Sequence, residues 1–343
     1  MRSNVTIKDV ARHADVSIST VSRVLNGNHS VNPELKERVI AAAKELSYSP
    51  NVIAKSLKGG SMRLVAYIVS NTADPFFTII SRGMEELLYD NGYNLINCST
   101  NFSIDRENTF LQTLSSRKVD GILINTVGNN DAAIAKLSQS IPIVLSNRAV
   151  YDESFQGDFA DFDNKSGMLE LTNQMLKLGH RKIGILTGPH FLSTASERNA
   201  GFFQAMSQAG LSFDRENYPY YYEAKKQFSQ EEGYFAAEHL LKLKDPPTAL
   251  IAANSEMALG AMDYCRVNGI RIPEDLSLCC YGNIEHNELL FKSITHMHMD
   301  LYAFGVRIAE LMLERINRQN QIRPRELRFS TSFHVGESAA ALR

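Results

Sequence analysis

The sequence predicts a small all-α headpiece of helix-turn-helix type joined to a two-lobed α/β body built from two doubly wound parallel sheets. Three observations predict it. Residues 5 to 60 show helical apolar spacing with almost no alternating β-branched run. From Leu64 onward, short apolar stretches alternate with amphipathic helical ones, the rhythm of a parallel sheet. That rhythm runs to about Asp161 and then restarts, which is most simply two lobes. At 343 residues the chain is too long for one ordinary core, so a small module beside a split body fits the length.

Thr6 with Asp9 three residues later forms a helix cap, after which Ile7, Val10 and Ala11 fall on one face. Past the turn at Ala14-Asp15-Val16, Ser17 caps a second helix carrying Thr20, Val21, Val24 and Leu25, and Asn26-Gly27 ends it. Asn32-Pro33 opens a third, with Leu35, Val39, Ala43 and Leu46 inward. Residues 50 to 58 start at Pro50 and stop at Gly59-Gly60, a segment too short to be a stable helix unless held. The expected strands of the first lobe are Leu64 to Val69, Tyr93 to Cys98, Gly121 to Thr126 and Pro142 to Ser146. Helices are expected over Phe77 to Asp90 and Arg106 to Lys118. The expected strands of the second lobe are Lys182 to Thr187, Tyr220 to Glu223, Ala249 to Ala253 and Leu276 to Tyr281. In such sheets ligands sit beyond the carboxyl ends of the strands, so two facing lobes imply a cleft.

Composition separates the ends of the chain. The net charge is −2, yet residues 1 to 60 hold nine Lys/Arg against five Asp/Glu, while the rest holds 27 against 33. A basic head on an acidic body directs nucleic acid to the head alone. The four cysteines, Cys98, Cys265, Cys279 and Cys280, lack metal-ligand spacing and suit a reducing compartment. No signal-peptide-like start and no run of about eighteen apolar residues occurs, so a soluble, cytoplasmic protein without membrane contact is expected.

The run Val5-Thr-Ile-Lys-Asp-Val-Ala-Arg-His-Ala-Asp-Val-Ser-Ile-Ser-Thr-Val-Ser-Arg-Val-Leu-Asn26 has the two-helix layout that sets a second helix in the major groove. Together with Tyr48-Ser-Pro-Asn-Val-Ile-Ala-Lys-Ser-Leu-Lys58, it resembles the headpiece and hinge of the lactose-repressor/galactose-repressor (LacI/GalR) family of transcriptional regulators. The likeness continues through Val119-Asp-Gly-Ile-Leu-Ile124, Leu178-Gly-His-Arg-Lys-Ile183, Arg198-Asn-Ala-Gly-Phe202 and Met257-Ala-Leu-Gly-Ala261. It implies a headpiece at 1–49, a hinge at 50–60 and a periplasmic-binding-protein-like effector and dimerisation domain at 61–343. The first lobe of that domain is expected at about 61–161 and 291–324, the second at about 162–290 and 325–343.

The resemblance implies that the opening of the second helix reads bases, which places Ile18, Ser19 and Arg23 in the groove. Their chemistry agrees, since arginine forks onto guanine O6 and N7 and isoleucine presses on a thymine methyl. The competing reading, Ile18 in the core and Arg23 a solvated charge, loses because Val16, Val21 and Val24 already form the inner face. Thr6, Ser17, Thr20 and Asn26 suit phosphates. By the same resemblance two hinges pair in the minor groove of a palindromic operator bound by a homodimer. Leu57 wedges the central step, Ala54 lets the backbones approach, and Lys58 lies beside them. No heptad pattern follows Ser338, so a coiled-coil tetramer is not expected.

For the cleft, the resemblance implies Phe76 and Phe77 on the first-lobe rim with Asn125, Asn147 and Phe162 behind them. From the second lobe it implies Thr194, Arg198, Phe228, Asn254, Ser255, Tyr281 and Gly282. Sugar-responsive members carry aspartate where this chain has Asn147, Ser255 and Gly282. Losing those acceptors while keeping Arg198, with Arg148 as a second cation, makes the cleft more positive and favours an anionic effector, a sugar acid or phosphosugar, over a neutral sugar. Asp300, where a proline is usual, and Gly336, where an arginine is usual, suggest no function from sequence.

Two rival classes fit the sequence less well. A solute-binding protein lacks any reason for the DNA-reading head, and an enzyme lacks support because G-x-G-x-x-G, G-x-x-x-x-G-K-[ST] and G-x-S-x-G are all absent. No catalytic residue, cofactor or metal is expected. His296, His298 and Asp300 share one strand face and could with a cysteine hold a metal, but surface polarity is the commoner cause of such a pattern.

Overall fold

The computed structural model describes residues 5–25, 32–48, 61–211, 215–225, 227–318 and 323–342. The chain divides into two compact units, Met1–Met62 and Arg63–Arg343.

In the first unit three helices, α1 (Ile7–His13), α2 (Ile18–Leu25) and α3 (Pro33–Glu45), enclose a small core of Val10, Ala11, Ala14, Val21, Val24, Val39, Ala42 and Ala43. Each fully buried valine contributes about 1.5–3 kcal/mol, so so small a core depends on well-made helix ends. The backbone N–H of Thr6 donates to the Asp9 carboxylate at 2.9 Å, the backbone N–H of Thr20 donates to Ser17 Oγ at 3.1 Å, and that of Glu34 donates to Asn32 Oδ1 at 2.8 Å. Arg38 Nη2 donates to the Ala14 carbonyl at 2.6 Å, tying α3 to the turn between α1 and α2.

In the second unit β1 (Leu64–Val69), β2 (Asn94–Ser99), β3 (Gly121–Ile124), β4 (Ile143–Ser146), β5 (Asp158–Phe162) and β11 (Glu326–Phe329) form one parallel sheet in the order β11-β5-β4-β3-β1-β2. The other, in the order β12-β10-β9-β8-β6-β7, holds β6 (Ile183–Thr187), β7 (Tyr221–Glu223), β8 (Ala249–Ala252), β9 (Ser277–Tyr281), β10 (Thr295–His298) and β12 (Ser332–His334). Burial of the inner strands explains the unbroken apolar runs: β3, β4, β6, β8 and β9 are buried at every position.

Two expectations are corrected. The second sheet is not wholly parallel, because β12 runs antiparallel to β10. It arrives straight from β11 of the other lobe across Ser330 and Thr331, without the helical crossover that a parallel partner requires. The lobe assignments of two segments are also exchanged: Thr295–His298 pairs in the second sheet and Glu326–Phe329 in the first. A strand that ends one lobe leads here directly into Leu301–Arg318, a helix packed on Pro75–Asp90 of the other lobe, so the crossing lies inside what reads as a single β-α unit.

Candidate functional site

On the headpiece, α2 buries Val21 and Val24 and turns Ile18 (46% exposed), Ser19 and Arg23 to solvent. The residues expected to read bases therefore share the outer surface of this helix. Among the described residues nothing accepts a hydrogen bond from Arg23 or pairs with its charge, so its five donors remain available. Thr6 and Ser17 are exposed and Thr20 half-buried. Ser17 Oγ lies 2.8 Å from both Ser19 Oγ and Thr20 Oγ1, a cluster of hydroxyls at the helix start. Asn26, Ala54, Leu57 and Lys58 lie outside the described residues.

In the second unit a cleft enclosing about 780 Å³, including its open mouth, lies between the carboxyl ends of the two sheets. It is lined by Phe76, Phe77, Asn147, Thr194, Arg198, Phe228, Asn254, Ser255, Tyr281 and Gly282, all expected there. Two residues expected behind the rim do not line the cleft surface. Phe162 is core, its ring 4.7 Å from Phe304 and 6.1 Å from Phe329. Asn125 is buried behind the cleft, where its Nδ2 donates to the Ser146 carbonyl at 3.1 Å and ties β3 to β4. Sequence position alone does not distinguish a residue at the strand end from one a single pleat deeper.

Local structure places each group. Asn147 follows β4 with φ 66°, a left-handed conformation that asparagine tolerates, and its buried Oδ1 has no partner. Asn254 caps Ser255–Val267, accepting from the Met257 N–H at 3.0 Å. Phe228 fits because residue 188 is glycine: a Cβ there would lie 2.3 Å from the Phe228 ring. Arg198, on the helix Ser193–Gln208, is buried, donates through Nε to Asn164 Oδ1 at 2.8 Å and through Nη1 to the Ala253 carbonyl at 2.6 Å, and lies 4.4 Å over Tyr281. Its remaining nitrogen, Nη2, is the one left for a ligand, so less of its fork is free than its sequence position suggests.

Arg148 emerges as a second cationic lining residue. It is buried and donates through Nη1 to the Thr126 carbonyl at 2.8 Å, while its buried Nε has no partner. Burial pulls its pKa down to about 10, opposed by Glu107, so it stays charged at neutral pH. Burial also lowers the Arg198 pKa and raises those of Asp74, Glu107 and Asp161, favouring the neutral form of the nearby acids. Asp74, which also lines the cleft, is occupied at a helix start, accepting from the Phe76 N–H at 2.9 Å. Sequence reasoning missed Asp74 and Phe102, although Asp-Pro after an apolar strand is a helix-start signal that marks a cleft-facing turn.

The comparisons with known proteins bear on both units. Residues 6–51 match the family model described as bacterial regulatory proteins, lacI family, and residues 172–339 the model of a periplasmic binding protein-like domain. The chain is 33% identical over 320 residues to the HTH-type transcriptional repressor PurR of Aliivibrio salmonicida, covering 93% of this chain and 94% of that protein. Among solved structures it is similar to the transcriptional regulator CelR–cellobiose complex, with 27% identity, a TM-score of 0.73, and coverage of 98% of this chain and 100% of that one. The Lac repressor dimer bound to operator and the anti-inducer ONPF shares the fold, with 24% identity, a TM-score of 0.83, and coverage of 99% and 100%.

Proposed function

Because the chain belongs to the lacI family of bacterial regulators, we propose that it represses transcription from a palindromic operator as a homodimer and that an anionic sugar derivative in the interlobe cleft controls it. It is a DNA-binding repressor rather than an enzyme, as its relatives are. No helix among the described residues is long and apolar enough to cross a membrane, and a protein that acts on chromosomal DNA works in the cytoplasm.

The observation that carries the effector reading is the pair of buried guanidiniums, Arg148 and Arg198, lining one cleft, with the buried Nε of Arg148 left without a partner. A buried donor without a partner costs about 1–3 kcal/mol, which an incoming carboxylate or phosphate oxygen would recover. Phe76 and Phe228 supply apolar faces for a sugar ring. The cellobiose of the CelR complex supports a carbohydrate class, and the two arginines favour its acids and phosphates. An effector that binds one lobe arrangement better than the other shifts the population between them, and operator affinity with it.

Calorimetry with sugar acids, phosphosugars and their neutral parents tests the ligand class. Anions should bind at least ten-fold more tightly than their neutral parents; tight binding of a neutral sugar with no response to its acid or phosphate overturns the charge argument. Light scattering tests the assembly, and a monomer on operator DNA overturns the homodimer.

A further inference from the structure

Two strands that adjoin the crossings between the lobes carry three histidines on one face. Thr295–His298 ends just before the chain passes to Leu301, and Ser332–His334 begins just after it returns from Phe329. The strands pair antiparallel, with His296 opposite His334 and His298 opposite Ser332. Residues two apart on a strand share a face, as do directly opposed residues, so the three imidazoles converge. One ring nitrogen from each lies within 4.8 Å of the other two. The rings of His298 and His334 stack with centroids 4.7 Å apart, and those of His296 and His334 are 5.3 Å apart.

Two local features prepare this cluster. His296 Nδ1 lies 2.9 Å from the Ile294 carbonyl oxygen, which can only accept, so Nδ1 carries the proton and the Nε2 lone pair is left for a ligand. A histidine fixed by a backbone carbonyl behind it is the usual arrangement at metal centres. At Gly336 a Cβ would lie 2.5 Å from the Ser293 carbonyl oxygen, and the Gly336 N–H donates to Thr295 Oγ1 at 3.0 Å. The missing side chain therefore lets the C-terminal segment lie against residues 293–295 and sets His334 beside His296.

We propose that His296, His298 and His334 bind a first-row divalent transition-metal ion, with Zn²⁺ the best match, leaving a fourth position for water or a carboxylate. Three neutral imidazoles form a zinc donor set, and Glu288 and Glu337 line the same pocket. Zn–N bonds of about 2.0–2.1 Å place tetrahedral nitrogens about 3.4 Å apart. Half-buried His298 and exposed His334 have room to rotate to that spacing around buried His296. The partner suggested by sequence, Asp300, is not in the group: its carboxylate accepts from the Ala303 N–H at 3.0 Å and caps the helix that begins at Leu301. No cysteine is in the group either. An ion here clamps the last strand onto its neighbour beside two interlobe crossings.

Titration of Zn²⁺ into the full-length chain in competition with a chromogenic chelator, alongside His334→Gln and His298→Gln, tests the site. We expect about one ion per chain, weakened at least about 100-fold in both variants, because losing a ligand exceeds the 10–100-fold cost of losing a supporting contact. Zn²⁺ should raise the melting temperature of the wild type but not of His334→Gln, whose exposed position leaves the metal-free melting temperature unchanged. No binding at Zn²⁺ up to about 1 mM, or equal binding by the wild type and both variants, overturns the proposal.

Discussion

Replacing Arg23 by alanine isolates base reading from folding. Arg23 is exposed, makes no described contact within the headpiece, and sits on a helix held by Val21 and Val24 on its other face. Removing it should change stability within about 0.5 kcal/mol, the range of ordinary surface substitutions. A bidentate arginine–guanine contact is worth about 1–3 kcal/mol. A homodimer makes it twice, so operator binding should weaken by about 2–6 kcal/mol, roughly 30-fold to 10⁴-fold. Random duplex, held through phosphates, should be nearly unaffected. Fluorescence anisotropy on a selected operator and on random DNA, at several salt concentrations, measures both. Equal weakening of the two duplexes, with the salt slope lowered by about one unit per Arg23 lost, would identify Arg23 as a phosphate contact and refute the reasoning.

Gly188→Ala should drive a Cβ into the Phe228 ring and reduce effector affinity by ten-fold or more while sparing effector-free operator binding, which calorimetry and anisotropy together check. Arg198→Ala should abolish effector binding and also lower unfolding stability by about 1–3 kcal/mol in a denaturant titration, because the Ala253 carbonyl and Asn164 lose their donor. His180 is buried between Thr248 Oγ1 (2.9 Å), Ser277 Oγ (3.0 Å) and the Ala340 carbonyl (3.0 Å), and burial holds its pKa below the ordinary value. The unfolded chain then binds the extra proton first, so this contribution is complete above about pH 6.5 and is lost as pH falls from there toward the folded value. Melting temperature should drop across that window, and less steeply in His180→Gln; an identical slope would remove His180 as a cause.

Much of this protein is legible in one dimension. Caps at Thr6, Ser17 and Asn32 and the apolar strand runs are local signals, because hydrogen bonds within a helix turn and burial on both faces of a parallel strand constrain nearby residues directly. The outward set of Ile18, Ser19 and Arg23 follows from helical periodicity once Val21 and Val24 are inside. Ten of the twelve residues that the resemblance implies for the cleft line it, among them Asn147, Asn254 and Gly282 just beyond strand ends. Phe162 lies behind the cleft lining because Phe304 and Phe329, from a distant part of the chain, pack against its ring, and Asn125 lies behind it bonded to the Ser146 carbonyl.

What only the tertiary structure decided concerns pairs far apart in sequence. The lobe membership of Thr295–His298 and Glu326–Phe329 depends on strand pairing, which hydrophobic pattern does not encode when both sheets are equally apolar. Arg148 is paired with Arg198 from sequence, but its burial in the same cleft and its bond to the Thr126 carbonyl come from the fold. His334 meets His296 and His298 only through an antiparallel register set by the close approach at Gly336. The sequence by itself determined the elements and the headpiece, fixed by local hydrogen bonding and periodicity, and its motifs carried the family resemblance. The folded chain decided which charges and imidazoles converge, because that depends on distances between residues that the backbone brings together only after the sheets have formed.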